Sequence, residues 1–139
     1  MDFLTAMDIS ASGLTAQRLR MAVIANNMAN IHSSRTTQGG PYQRKQVIFA
    51  ALPITEATAA SFDQALQEVR VVGVVEDMRE PKKVYDPGHP DADPQGIVLM
   101  PNINLIEEMV DLLLASRAYE ANVTVINAAK SMAQKALEI

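Results

Sequence analysis

All seven prolines of this 139-residue chain lie between residues 41 and 101, so both ends of the chain are free of proline. Five of the six glycines fall in nearly the same stretch, from Gly39 to Gly96. Because proline and glycine interrupt helices, long helices are favoured at the two ends and disfavoured in the middle. We therefore predict an α+β fold, in which two long terminal helices flank a small β-rich insert.

The first predicted helix covers residues 2–31. Ser10 and Gln17 interrupt its apolar pattern, and Gly13 is expected to cost about 1 kcal/mol relative to alanine. The pattern is therefore weak in the first half of the helix. Its apolar members recur at heptad spacing: Met7, Leu14, Met21 and Met28 in one row, and Phe3, Ile24 and Ile31 in the other.

The second predicted helix covers residues 102–137, with Asn102 or Asn104 as its N-cap. Its N-terminal half is apolar around most of its circumference, which one partner helix cannot cover. We expect the two terminal helices to pair antiparallel as a coiled coil and to pack against other molecules. The heptad row is Leu105, Met109, Leu112, Ser116, Tyr119, Val123, Ile126, Lys130, Ala133 and Leu137, and a second row is Ile106, Val110, Leu113, Leu114 and Ala118.

These helices divide the chain into two predicted domains, a helical domain of residues 1–31 and 102–139 and an insert of residues 32–101. Within the insert, residues 32–41 and 86–96 are predicted loops, because they are rich in Gly, Pro and small polar residues. Residues 54–67 fit a short helix or a loop. Predicted strands cover residues 42–52, 68–78, 83–85 and 97–100.

The composition excludes several classes of function. The net charge is −4, whereas a nucleic-acid-binding protein needs a basic stripe. The chain has no cysteine, which excludes disulfides and cysteine-ligated zinc. It has no apolar run of 18 residues, so direct membrane insertion is not expected. The N-terminus lacks the pattern of a signal peptide, so export would require another route.

No residue pattern in the chain predicts catalysis. The only histidines, His32 and His89, lie in different predicted loops, and segment 91–96 matches only the first half of a calcium-binding loop. We therefore predict no enzyme activity, no catalytic residues, no cofactor and no metal. Asn26, Asn27 and Asn30 are a more informative cluster, although ordinary capping at the end of a helix is sufficient to explain all three.

Two short motifs resemble the signatures of a known family. Ala-Asn-Asn-Met-Ala-Asn at 25–30 and Ser-Arg-Ala-Tyr-Glu-Ala-Asn at 116–122 are similar to the N- and C-terminal signatures of the bacterial flagellar axial proteins, the rod and hook components. Residues 40–49, 83–93 and 100–104 resemble the proximal rod members of that family. The resemblance covers nearly the whole chain except residues 53–68.

The resemblance implies a structural subunit of the flagellar basal-body rod, which polymerises through its terminal helices and transmits torque from motor to hook. It implies a location in the rod within the periplasm, after type III export without a cleaved signal peptide. The implied partners are neighbouring copies, other proximal and distal rod subunits, the junction with the export gate and the type III export apparatus.

A set of candidate subunit-interface residues combines the apolar rows with the two family motifs. The candidate interface residues are Met7, Leu14, Met21, Ile24, Asn27, Met28, Asn30, Leu105, Met109, Leu112, Leu113, Tyr119, Asn122, Val123 and Ile126.

Two alternative hypotheses stay open for the function. One is a soluble helical adaptor or secretion chaperone, and the other is a hydrolase that uses the loop from Asp86 to Asp93.

Overall fold

The computed structural model describes residues 3–54 and 66–139. Two long helices enclose four strands in chain order, which confirms the predicted α+β fold. Most of the segment 54–67, predicted as a short helix or loop, lies outside the described residues. The elements are α1 Phe3–Ala29, β1 Lys45–Pro53, β2 Gln67–Glu76, β3 Lys82–Tyr85, β4 Ile97–Met100 and α2 Leu105–Leu137.

Helices α1 and α2 pack side by side in antiparallel orientation. The side chain of Asn27 contacts Glu108 near one end of the pair, and a Cβ at Gly13 would lie 3.0 Å from the amide of Asn122 further along. As residue numbers fall along α1, those of the facing residues rise along α2. The predicted antiparallel pairing is therefore the arrangement observed.

The contact between the two helices is made mainly by small residues. Of the predicted rows of large apolar residues, Ile24 is buried here, whereas Leu105 and Met109 are 45% and 54% exposed. Small side chains allow two helix backbones to approach closely, whereas methionine and leucine would hold them apart. The buried residues are Ser10, Gly13, Ala16, Ile24 and Asn27 on α1, and Glu108, Ala115 and Ala129 on α2.

Both helices are shorter than the sequence predicted. Helix α2 begins at Leu105 rather than at residue 102, because the carboxamide of Asn104 caps it by accepting a hydrogen bond of 3.0 Å from Ile106 N. The Asn102 side chain instead donates to Glu80 O at 3.0 Å. Helix α1 ends at Ala29, where the Asn30 side chain donates back to Asn26 O at 2.9 Å.

Strands β1 and β2 form an antiparallel two-stranded sheet with an irregularity between Ile48 and Phe49. Strand β1 starts at Lys45 rather than at residue 42. The sheet lies against α1, where the Ser12 hydroxyl accepts a hydrogen bond of 3.1 Å from Val69 N. The start of β1 is held beside the C-terminal end of α1 by hydrogen bonds between Asn27 and the backbone of Lys45.

Strands β3 and β4 form a second antiparallel pair, in which Val98 is fully buried. The loop between them closes on itself through a hydrogen bond of 2.8 Å from Asp86 N to Gly96 O. Gly96 has φ +79°, and a Cβ there would stand 2.9 Å from Cε2 of Tyr85. Only glycine fits this position without strain.

Replacing Gly96 with alanine is expected to lower the free energy of unfolding by about 1–3 kcal/mol, because alanine resists positive φ and its Cβ would clash with Tyr85. Gly88→Ala is the control, since its added Cβ would meet only Asp86 Oδ1 at 3.6 Å. Urea unfolding of the two variants checks the prediction, and equal losses would contradict it.

Candidate functional site

A polar cluster joins α1, α2 and the segment before β1, and we call it the Asn27 cluster: Asn27, Tyr42, Arg44, Lys45 and Glu108. The Asn27 Nδ2 group donates to Lys45 O at 2.8 Å and to Glu108 Oε2 at 3.1 Å. Asn27 Oδ1 accepts from Tyr42 OH and from Lys45 N, both at 2.9 Å. All four hydrogen-bonding positions of this carboxamide are therefore used.

Glu108 is the largest fully buried side chain of the described residues and has no exposed area. Arg44 Nε donates to Glu108 Oε1 and so supplies the charge that a buried carboxylate requires. The other guanidinium nitrogens of Arg44 lie 3.8 Å from Asp77 Oδ2 and 3.5 Å from Asp111 Oδ2. One arginine thus links α2 to the segments before β1 and after β2.

Two groups beside Arg44 have shifted pKa values. The hydrogen bond from the Arg79 side chain, followed by the Arg79 backbone amide, lowers the pKa of Asp77. Burial raises the pKa of Tyr42, and the negative charges of Glu108 and Glu76 raise it further. Both shifts favour the protonation states in which the two side chains make their observed hydrogen bonds near neutral pH, a charged Asp77 beside Arg79 and an uncharged Tyr42 beside Asn27.

A second close contact between the helices involves Gly13 and Asn122. The Asn122 side chain donates to Ala118 O at 2.9 Å and lies directly over Gly13. A Cβ at position 13 would force the Asn122 amide to move by a few tenths of an ångström. Gly13, which the sequence suggested only as a cost to α1, therefore leaves room for the Asn122 side chain of α2.

The outer side of α2 carries an apolar face, which we call the α2 face. Its six side chains are between 45% and 72% exposed, a large continuous apolar surface for one short helix segment. Together with Met28 of α1, part of this face lines an open apolar groove. The α2 face consists of Leu105, Ile106, Met109, Val110, Leu113 and Leu114.

The structure separates the predicted interface residues into three groups. Leu105, Met109 and Leu113 belong to the α2 face, and Met28 and Leu112 line the groove beside it. Ile24 and Asn27 are buried within the chain, so they cannot contact a neighbour in this conformation. Asn30 likewise has a partner within the chain, since its side chain donates to Asn26 O at the end of α1. The half-buried remainder is Met7, Leu14, Met21, Tyr119, Asn122, Val123 and Ile126.

Sequence reasoning missed Arg44 and Glu108 as a pair. Glu108 was explained by its place in the first turn of a helix, where acids are favoured anyway. Capping does explain Asn26 and Asn30, but it does not explain Asn27, which is 1% exposed and reaches Glu108. The sequence signal that could have identified Glu108 is a carboxylate within an otherwise apolar stretch of helix, on the row of residues that faces α1.

The loop between β3 and β4 uses its carboxylates to hold its own backbone. Asp93 Oδ1 accepts from Gln95 N at 2.9 Å and from Ile97 N at 2.8 Å. Within residues 3–54 and 66–139, no group of three or more His, Asp or Glu side chains is placed to hold a metal ion. In the same residues, no helix is both long and apolar enough to cross a bilayer.

Comparisons with known proteins match both helices. Residues 7–32 match the family model described as flagella basal body rod protein, and residues 95–139 match the model described as flagellar basal body rod FlgEFG protein C-terminal. The first segment covers most of α1 and the second contains all of α2. The chain thus has the sequence of a flagellar basal-body rod protein in both of its helices.

Full-length relatives narrow this class. The flagellar basal-body rod protein FlgC of Borreliella burgdorferi is 47% identical over 149 residues, which cover 100% of this chain and 98% of that protein. The FlgC proteins of Salmonella typhimurium and Bacillus subtilis are 42% and 41% identical, over 100% and 96% of this chain and 98% and 95% of their own lengths. The chain belongs to the FlgC family of flagellar basal-body rod proteins. The predicted resemblance is confirmed.

Asn27→Asp should lower the free energy of unfolding by roughly 3–5 kcal/mol, because it places a second buried carboxylate beside Glu108 and removes two donors. Asn26→Asp is the matched control. Asn26 is exposed, and a carboxylate there would still accept from Asn30. We expect the control to lose at most about 1 kcal/mol, the cost of an acid near a helix C-terminus. Chemical unfolding of both variants measures the difference, and similar losses would refute the role of Asn27.

The lowered pKa of Asp77 predicts a pH dependence. Since its folded pKa lies below its unfolded value, the carboxylate stabilises the fold above the unfolded pKa of about 3.9. This contribution disappears as the pH falls through the lowered folded pKa. Wild type should therefore exceed Asp77→Asn in unfolding free energy at pH 7, and the gap should shrink below about pH 4. Denaturant titrations at several pH values test this, and a constant gap would contradict it.

Proposed function

We propose that this chain is a structural subunit of the bacterial flagellar basal-body rod and joins the rod through the α2 face. The observation that carries the proposal is the α2 face itself, six large apolar side chains exposed on the outside of the helix pair. Monomeric soluble proteins seldom leave so large a continuous apolar patch in water. Family membership supplies the assembly in which such a patch would be covered.

The apolar side chains of this face favour a contact between subunits. Burying each Leu or Ile side chain contributes about 1.5–3 kcal/mol, so several per neighbour stabilise a contact. In a rod, this face would contact a different surface of the neighbouring subunit rather than its own copy. Contacts between two different surfaces generate rings or helical assemblies rather than closed dimers. A tubular rod is one such assembly.

The finer details of this function follow from the family resemblance and are part of the proposal. The helical domain of residues 1–31 and 102–139 would form the wall of the proximal rod and transmit torque to the hook. The insert of residues 32–101 would pack outside it. Partners would be copies of this chain, other rod subunits and the junction with the export gate. Type III export without a cleaved signal peptide would deliver the chain to the periplasm.

The proposed interface differs from the set of residues suggested by the sequence. Leu105, Met109 and Leu113 are retained, and Met28 and Leu112 are retained as groove residues. Ile106, Val110 and Leu114 are included because they are exposed on the same face. Ile24 and Asn27 are assigned to contacts within the chain, because both are buried there.

Leu113→Asp should abolish rod assembly and motility when it replaces the native copy, because a carboxylate cannot be buried unpaired at a subunit contact. Leu113 is 59% exposed, so the purified variant should unfold within about 0.5 kcal/mol of wild type. Leu113→Met is the matched control, since it retains an apolar side chain of similar volume and should leave motility intact. Swimming assays and electron microscopy of basal bodies provide the readout. A motile Leu113→Asp strain would refute the proposal.

A further inference from the structure

The apolar groove depends on how closely α1 and α2 approach each other, since both helices line it. Met28 comes from α1, whereas Met109 and Leu113 come from α2. The residues immediately before Met28 and Met109 are Asn27 and Glu108, whose side chains are joined by a hydrogen bond of 3.1 Å. The Asn27 cluster therefore lies directly behind the groove.

We propose that Asn27, Arg44 and Glu108 act as a latch that positions α1 and α2 for subunit docking, so that the groove has its docking shape only when residues 42–45 are docked between the helices. The inference rests on the proposed function, because it assigns a controlling element to that same interface. The three are positioning residues, since none of them is on the α2 face.

Undocking of residues 42–45 would leave the ends of both helices with unmet polar groups. Asn27 would lose its bonds to Tyr42 and to both backbone groups of Lys45. Glu108, which has no exposed area, would lose the cation of Arg44. A buried carboxylate without its partner costs several kcal/mol. The first turns of α2 would then move away from α1 to hydrate Glu108 and would carry Met109 away from Met28.

The charges around the latch add to this dependence on Arg44. Asp111, which follows Glu108 on α2, lies 3.5 Å from Arg44 and 3.8 Å from Arg20. Asp77 lies 3.8 Å from Arg44 and is also held by Arg79 at 2.7 Å. Arg20 and Arg79 can satisfy Asp111 and Asp77 when Arg44 leaves. Among the residues that the structure describes, Glu108 has only Asn27 as an alternative partner, so Glu108 is the group that makes the positions of the helices depend on Arg44.

Spin labels can measure the width of the groove directly. The chain has no cysteine, so Met28→Cys and Leu113→Cys place two labels on opposite sides of the groove without interference. The wild-type background should give one narrow distance distribution by pulsed electron paramagnetic resonance on dilute monomer. Arg44→Met, which keeps an apolar stem but removes the cation, should broaden it at least twofold and shift it to longer distance.

Two further variants separate positioning from simple loss of stability. Val98→Ala opens a cavity in the β3–β4 pair and should leave the distribution narrow, although it also lowers the free energy of unfolding. Arg44→Met combined with Glu108→Met removes both charges and should narrow the distribution again, because replacing a buried pair by apolar residues is often tolerated. Arg44→Lys, with a single charged nitrogen, should broaden it to a smaller extent and replaces Arg44→Met if that variant is unfolded by circular dichroism.

Four outcomes would overturn the latch, and three of them are a broad distribution in the wild-type background, a narrow one in the folded Arg44 variant, and equal broadening in Val98→Ala. A double variant no narrower than Arg44→Met would also overturn it, since the driving charge would then be irrelevant. The measurement uses monomer and no polymer. Failure of the Leu113→Asp test would therefore leave these results unaffected, and the two proposals fail separately.

Discussion

The close approach of α1 and α2 is the constraint on which the rest of this structure depends. Gly13, Ala16 and Ala115 are buried small residues that allow the two backbones to come together, and a Cβ at Gly13 would already press on Asn122. A contact made of such small residues buries little apolar area, so it contributes less hydrophobic stabilisation than a seam of leucines. The Asn27 cluster compensates at one end of the pair, where Asn27 and Glu108 join the helices directly and the segment 42–45 bridges them through Asn27 and Arg44.

This arrangement reverses the usual distribution of polar and apolar side chains. Glu108 and Asn27 lie inside the pair, while Ile106 and Leu113 lie outside it. The reversal is costly for an isolated chain, because water contacts the apolar residues and a carboxylate is removed from it. It is understandable if α2 has two partners: α1 within the chain, which small and polar residues recognise, and a neighbouring subunit, which the large apolar residues recognise.

The distribution of proline and glycine was sufficient to predict the architecture, because those residues limit backbone geometry wherever they occur. The partner of each helix face could not be predicted in the same way. Heptad analysis assigns large apolar residues to a helix contact. It therefore placed Met109 in the contact between the helices, whereas the residue that lies there is its neighbour Glu108. Gly13 was recognised as a cost and Asn27 as a cap, because their benefits come from Asn122 and Glu108 across the fold. Contacts between residues so distant in sequence leave no periodic signal.

The proline-rich middle of the chain also has a different role from the one its composition suggested. It appeared to be an insert separate from the helices, yet Tyr42 and Arg44 at its beginning complete the polar contact between them. Arg44 can reach Glu108 only after the chain has turned back from the end of α1, and Gly39 and Gly40, with φ +86° and +76°, make that turn possible. These two loop glycines thus bring the arginine that α2 requires into place. The insert and the helix pair consequently depend on each other, and a substitution in this turn should also change the position of the α2 face.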